Sequence, residues 1–207
     1  MRFRPALMIV SLSFLLLPAA FISSCAPAGV EISPGAVKKT GCVIKDVPFY
    51  PDGSDQWGPD QCGPVSLAEV MNYYGGKNKT TPARISRRIW SKTARGTLDI
   101  DMPLYPARAG FRAVQYRGSV RDIERNIDRG RPLIVFVDYG FWVYQHGHYM
   151  VVVGYDNDGV VVHTGNTPLL RVPWDKFLGS WRKTGYWTLL ITPPKSPKGF
   201  LIIRSPR

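Results

Sequence analysis

The chain has 207 residues, of which 44% are hydrophobic, 12% aromatic and 20% charged, a balance that buries a core and excludes disordered, collagen-like and disulfide-scaffold classes. At roughly 100 to 200 residues per domain the length fits one domain of catalytic size with appendages, and no period of 20 to 50 residues marks a repeat array. Lys and Arg outnumber Asp and Glu 27 to 15, a formal charge of +12 that favours anionic surfaces.

Arg2 and Arg4 precede the apolar run 6–21, and Ile22-Ser23-Ser24-Cys25 follows it. A basic start, an apolar stretch and small residues before a cysteine read as an export signal over residues 1–24. The apolar run is shorter than the roughly 18 to 20 residues of a spanning helix, and Pro5 and Pro18 disfavour a span. The tetrad ending at Cys25 resembles a bacterial lipobox, which implies an acylated Cys25 at the start of a lipoprotein; an ordinary signal peptide with an incidental Cys25 is the alternative. Ala26 is not the aspartate that resembles an inner-membrane retention signal, so the expected location is the outer membrane facing the periplasm. The basic residues then meet lipid headgroups, not nucleic acid. With Cys25 lipidated, Cys42 and Cys62 remain in an oxidising compartment and a bridge between them is the plain reading; their different surroundings argue for separate roles.

Residues 25–41 carry Pro27, Gly29, Pro34, Gly35 and Lys38-Lys39 with little periodicity, a tether from membrane to domain. The folded domain is expected over 42–192. Residues 43–50 read as a strand broken by Pro48, and 51–61 as a loop. A helix begins at Cys62, with Val65, Ala68, Met71 and Tyr74 on its apolar side and Gly75-Gly76 at its end. Short helices follow over 82–90 and 101–109, then a strand over 111–116 and a helix from Ser119 whose buried side is Val120, Ile123 and Ile127. Apolar, aromatic-rich strands are expected over 132–137, 149–155, 159–163 and 186–192, the middle two joined by the turn Asp156-Asn157-Asp158-Gly159. Helices first and an antiparallel sheet second is an α+β layout with the helical part on one side of the sheet. Residues 193–207, with Pro194, Pro197 and Pro206 among basic residues, read as a loose tail.

The segment from Gln56 to Pro64 concentrates the chemistry. A cysteine opening a helix faces free backbone N–H groups and the positive dipole end, which lowers its pKa and makes it nucleophilic. Gly63 lets a substrate backbone approach, and Pro64 suits a first turn that needs no amide donor. Gln56, six residues earlier, supplies a side-chain amide to join the Cys62 N–H in an oxyanion hole. A buried, inert thiol is the alternative for Cys62, weakened by its polar neighbours Asp60 and Gln61. The three histidines are His146, His148 and His163. His148, at the mouth of a central strand, is the expected base and His146 its competitor. The group that orients the imidazole is expected near Thr164, Gly165 or Asn166; Asn166 is favoured because its carboxamide oxygen accepts an imidazole N–H.

These residues resemble a family. Gln56 to Cys62-Gly63-Pro64, a helix ending Asn72-Tyr73-Tyr74-Gly75, then Gly130-Arg131-Pro132 leading a strand and His148-Tyr149 leading Val151 to Tyr155 look like the bacteriocin-processing peptidases, cysteine peptidase family thirty-nine. The resemblance covers about residues 43–192. It implies a papain-like fold, no cofactor, a peptide or protein substrate, and Gln56, Cys62 and His148 as oxyanion residue, nucleophile and base. It also points to the free-standing, lipoprotein-borne branch. The family places an aspartate sixteen residues after the histidine, where this chain has Thr164. Two rivals stand beside this reading. One is a zinc enzyme built on His146, His148 and His163; the other is a degraded papain-like module that binds peptide or cell-envelope material without turnover.

Overall fold

The near-continuous apolar runs of the second half carry no polar alternation, which calls for strands covered on both faces. The computed structural model describes residues 41–52, 60–75, 80–140 and 146–193; the expected export signal with Cys25, most of the expected tether, Gln56 and the expected tail lie outside the described residues. The strands are β1 (Cys42–Val43), β2 (Trp90–Ser91), β3 (Gly96–Thr97), β4 (Arg112–Arg117), β5 (Leu133–Asp138), β6 (Gly147–Tyr155), β7 (Gly159–Thr164), β8 (Thr167–Pro173) and β9 (Trp187–Thr192). Their main sheet is antiparallel in the order β4-β9-β5-β6-β7-β8, with β1 added against β6. The helices are α1 (Cys62–Gly75), α2 (Pro82–Ile89), α3 (Asp101–Arg108), α4 (Val120–Ile127) and α5 (Trp174–Lys183).

The helical first part packs on the sheet, as expected, with α1 lying along β6. From Tyr149 to Tyr155 every residue of β6 is buried, so the second face is covered as well, and α5 packs against β5 and β7. Two expectations need adjusting. The strand expected over 43–50 pairs only through Cys42 and Val43, with Ile44 N–H still reaching the Val153 carbonyl at 2.7 Å. Asp46 then turns the backbone to φ 66° and Pro48 brings no N–H, so the chain leaves the ladder. The hairpin β2-β3, strand β8 and helix α5 were not anticipated. Ser119 caps α4 as expected, its hydroxyl accepting Asp122 N–H at 3.1 Å. The Asp156 carboxylate closes the β6–β7 turn on the amides of Asp158 and Gly159.

The segment leading into the gap before α1 is held at three points. Tyr50 N–H donates to Glu69 Oε1 at 3.0 Å, Asn72 Nδ2 donates to the Tyr50 hydroxyl at 2.7 Å, and Asp52 N–H donates to the Gly165 carbonyl at 3.0 Å. Asn72 also exchanges hydrogen bonds with the Thr80 backbone. One buried carboxamide therefore ties the strand approach, α1 and the start of α2 together.

Candidate active site

Cys62 is the first residue of α1, and Gln61 carries the helix's first turn by accepting Val65 N–H at 3.0 Å. The Gln61 side chain is buried and takes a hydrogen bond from Ser86 on α2. Gly63 is buried, and its role is structural. A Cβ there would stand 2.7 Å from Thr97 Oγ1 and 2.8 Å from Thr97 Cβ, so the missing side chain admits β3 rather than a substrate backbone. Gly63→Ala is expected to cost about 1–3 kcal/mol by overpacking, measured by urea unfolding; an unchanged midpoint would mean that β3 yields freely.

His148 lies near the start of β6, and the cross-strand register decides its partner. Val152 pairs with Val162 and Val151 with His163, so His148, Met150, Val162 and Thr164 share one face and His163 lies on the other. His148 Nε2 stands 2.8 Å from Thr164 Oγ1. This leaves Nδ1 as the ring atom available to the cleft. Asn166, expected as the orienter, is exposed. Gly165 takes φ 54° in the β7–β8 turn and swings Asn166 out of the strand's alternation.

Cys62 and His148 line one cleft of about 800 Å³, together with Asp52, Asp60, His146, Phe136, the β2–β3 turn residue Arg95 and Gly96 at the start of β3. Its floor is anchored by the Tyr149 hydroxyl, which donates to Asp99 at 2.5 Å, and by the Tyr149 ring stacked on Phe136. The thiol is held by the backbone amides of Tyr149 and Gly63, which favour the thiolate. Burial nevertheless outweighs them and, with Asp52 and Asp60 adding negative charge, pushes Cys62 up to about 11. Burial, with the neighbouring charge of His146, pulls His148 down to about 4. The resting pair is therefore a neutral thiol and a neutral imidazole at pH 7, not the thiolate and imidazolium that a helix-start cysteine suggests. The helix terminus is overcome by desolvation and by two nearby carboxyl groups.

Cys62 is a free thiol, so no bridge joins it to Cys42. The three-histidine zinc site does not form. His163 is on the opposite face from His148 and is engaged at 3.3 Å by Glu69 of α1, and no group of three potential ligands is assembled among the described residues. Gln56 and Cys25 lie outside those residues. Sequence reasoning missed Asp52 and the Glu69–His163 pair. Neither sits at a motif spacing: the Asp52 N–H to Gly165 hydrogen bond and the Glu69–His163 contact between α1 and β7 bring them beside Cys62.

A thiol at the head of a helix and an imidazole on a facing strand, sharing one cleft on an α+β frame, is the arrangement of papain-like cysteine peptidases. The model of the Peptidase_C39 like family matches residues 44–189, and the chain belongs to that family. Its fold is similar to that of a protein described as a C39-like peptidase from Bacillus anthracis (15% identity, TM-score 0.58, covering 74% of this chain and 98% of that one). It is also similar to the peptidase domain of Streptococcus ComA, a bifunctional ABC transporter (23%, 0.55, covering 69% and 96%). A third likeness is to a double glycine motif protease from an AMS/PCAT transporter in complex with the leader peptide (20%, 0.55, covering 73% and 94%). No curated protein matches the chain.

The hydroxyl of Thr164 directs the imidazole without supplying negative charge, which accords with the low position of His148. Thr164→Val is expected to lower kcat about 10- to 100-fold, the scale of lost orienting partners, while Asn166→Ala changes it less than about twofold. Thr164→Asp should move the acid limb of the rate profile upward by about 1–3 pH units, because an adjacent carboxylate favours the imidazolium. A crippled Asn166→Ala beside a silent Thr164→Val would reverse the assignment.

Proposed function

We propose that this chain is an exported, membrane-anchored cysteine peptidase in which Cys62 attacks the peptide carbonyl and His148 moves the proton. The observation that carries the reading is the placement of both side chains in one cleft, with His148 Nε2 occupied by Thr164 and Nδ1 left for the thiol. From the neutral resting pair, substrate binding precedes proton transfer. Nδ1 takes the thiol proton as sulfur adds to the carbonyl carbon, and the imidazolium returns it to the leaving amine. The thioester is then hydrolysed by a water that His148 deprotonates. The similar protease bound to a leader peptide supports a peptide carrying a Gly-Gly motif as the first substrate to try.

The test is cleavage of a set of peptides, some with Gly-Gly before the scissile bond, by the mature protein and by Cys62→Ser, with products identified by mass spectrometry. Cleavage by the wild type alone is expected; equal cleavage by Cys62→Ser would sink the enzyme reading. The second reading, a peptide-binding module without turnover, is favoured by the neutral resting pair and by Thr164 in the orienter's place. Saturable binding of the same peptides without products would establish it.

Anchoring rests on the lipobox-like tetrad and requires the Cys25 sulfur for a thioether. The mature chain is expected to begin at a diacylated Cys25, partition into detergent and be released by Cys25→Ala. An unmodified Cys25, or a Cys25 to Cys42 bridge in non-reducing mass spectrometry, would refute it.

A further inference from the structure

We infer that Asp52 is a further catalytic residue, its carboxylic acid donating a hydrogen bond to the oxyanion that forms when Cys62 adds to a peptide carbonyl. The inference rests on the peptidase reading above and adds to it a side-chain donor besides the Gln56 amide and the Cys62 N–H expected from the sequence. Asp52 lines the cleft together with Cys62 and His148, and also borders the small cavity behind Cys62 that Glu69, His163 and Thr164 enclose. Its Oδ1 atom is buried and makes no hydrogen bond. It is one of five buried side-chain polar atoms without a partner among the described residues, and such an oxygen at the edge of a cleft asks for a ligand. Its backbone is rigidly placed by the Asp52 to Gly165, Tyr50 to Glu69 and Asn72 to Tyr50 hydrogen bonds, and a preorganised donor is what stabilises developing charge.

The charge environment sets which form of the carboxyl is present. Glu69 faces it from α1 and Asp60 from the segment before α1. His163 on β7 is engaged by Glu69; His148 and His146 on β6 and Arg95 on the β2–β3 turn line the same cleft. Burial first, then Glu69 and Asp60, raise Asp52 to about 7. Below that pH it carries the O–H that an oxyanion needs; above it, a carboxylate would repel both the oxyanion and the thiolate. In the reaction the thiol proton passes to His148, the sulfur–carbon bond forms and the carbonyl π pair moves onto oxygen, which accepts from the Asp52 O–H. When the carbonyl re-forms, the C–N bond breaks and the amine leaves with the proton from His148. Asp52 keeps its own proton throughout.

The deciding experiment measures kcat and kcat/KM against pH for wild type, Asp52→Asn, Asp52→Ala and Gln56→Ala, with the peptide cleaved in the previous test and with circular dichroism as a check of folding. The wild-type rate should fall about tenfold per pH unit above about pH 7. Asp52→Ala should lose about 10²–10³-fold in kcat, the cost of one oxyanion donor, with KM changed less than about threefold. Asp52→Asn keeps a donor that does not titrate, so it should lose no more than about tenfold and show no fall near pH 7. A folded Asp52→Ala within threefold of wild type, or an Asp52→Asn profile that still falls near pH 7, would overturn the inference. A silent Asp52→Ala beside a crippled Gln56→Ala would hand the role to Gln56 and leave the peptidase intact. Absence of wild-type turnover would overturn both readings.

Discussion

His148→Ala is expected to reduce turnover by about 10³- to 10⁴-fold while leaving the fold intact, the largest loss in activity among the substitutions considered apart from Cys62 itself. The reason is the resting protonation state. With Cys62 near 11 and His148 near 4, almost no thiolate exists at neutral pH without a base to take its proton, so removing the imidazole removes the route to the nucleophile. In a resting ion pair the acid limb of the rate profile would belong to the cysteine. Here a neutral imidazole is the required form, so the acid limb belongs to His148 and activity should rise through about pH 4 and hold above it until Asp52 titrates. His146→Ala should be mild. It lifts His148 slightly, because a neighbouring positive charge is lost, and shifts that limb upward. The measurement is kcat/KM from pH 3 to 9 for the three proteins. A lethal His146→Ala with an active His148→Ala would reassign the base.

The second large effect is on stability. Trp181 of α5 is fully buried; its indole N–H donates to the Trp187 carbonyl at 2.9 Å, and its ring lies between Phe177 and Tyr186, with centroids 5.1 and 5.2 Å away. Gly118 is bare because a Cβ there would meet the Thr188 hydroxyl at 2.4 Å and the same indole at 2.8 Å. Trp181→Ala opens a cavity and orphans a carbonyl, an expected loss of about 3–5 kcal/mol from a total stability on the order of 5–15 kcal/mol. The effect reaches the cleft, since Thr184, at the end of α5, donates to the Phe136 carbonyl at 2.6 Å and Phe136 lines the cleft wall. Urea unfolding followed by tryptophan fluorescence checks it. A loss below about 1 kcal/mol would show that α5 is not part of the cooperative core.

The cysteine and histidine of the candidate site were legible in the chain, and the two line one cleft. A cysteine at a helix start after a polar, glycine-containing loop, and a histidine opening an apolar strand, are local signals, and the family resemblance rests on the same residues. The strongly periodic elements α1 and α4 and the apolar strands β5, β6, β7 and β9 were legible too, because burial pattern and capping are written within each segment. The residues over 167–185 were not assigned. Their apolar residues are diluted by exposed side chains, and it is the docking of Phe177 and Trp181 that makes α5 a core helix.

What tertiary structure decided is everything that depends on two segments at once. Which of Thr164 and Asn166 meets the His148 ring turned on where β7 stops, and a single left-handed residue, Gly165, ends the alternation just after Thr164. The purpose of Gly63 was set by Thr97, more than thirty residues away. The protonation of Cys62 was set by how deeply α1 is buried against β6 and by Asp52 and Asp60 lying near it, since desolvation and charge act through space and leave no mark in local sequence. Residue types and spacing by themselves singled out the groups proposed to carry the chemistry; packing determined which atoms face them and in which protonation state they wait.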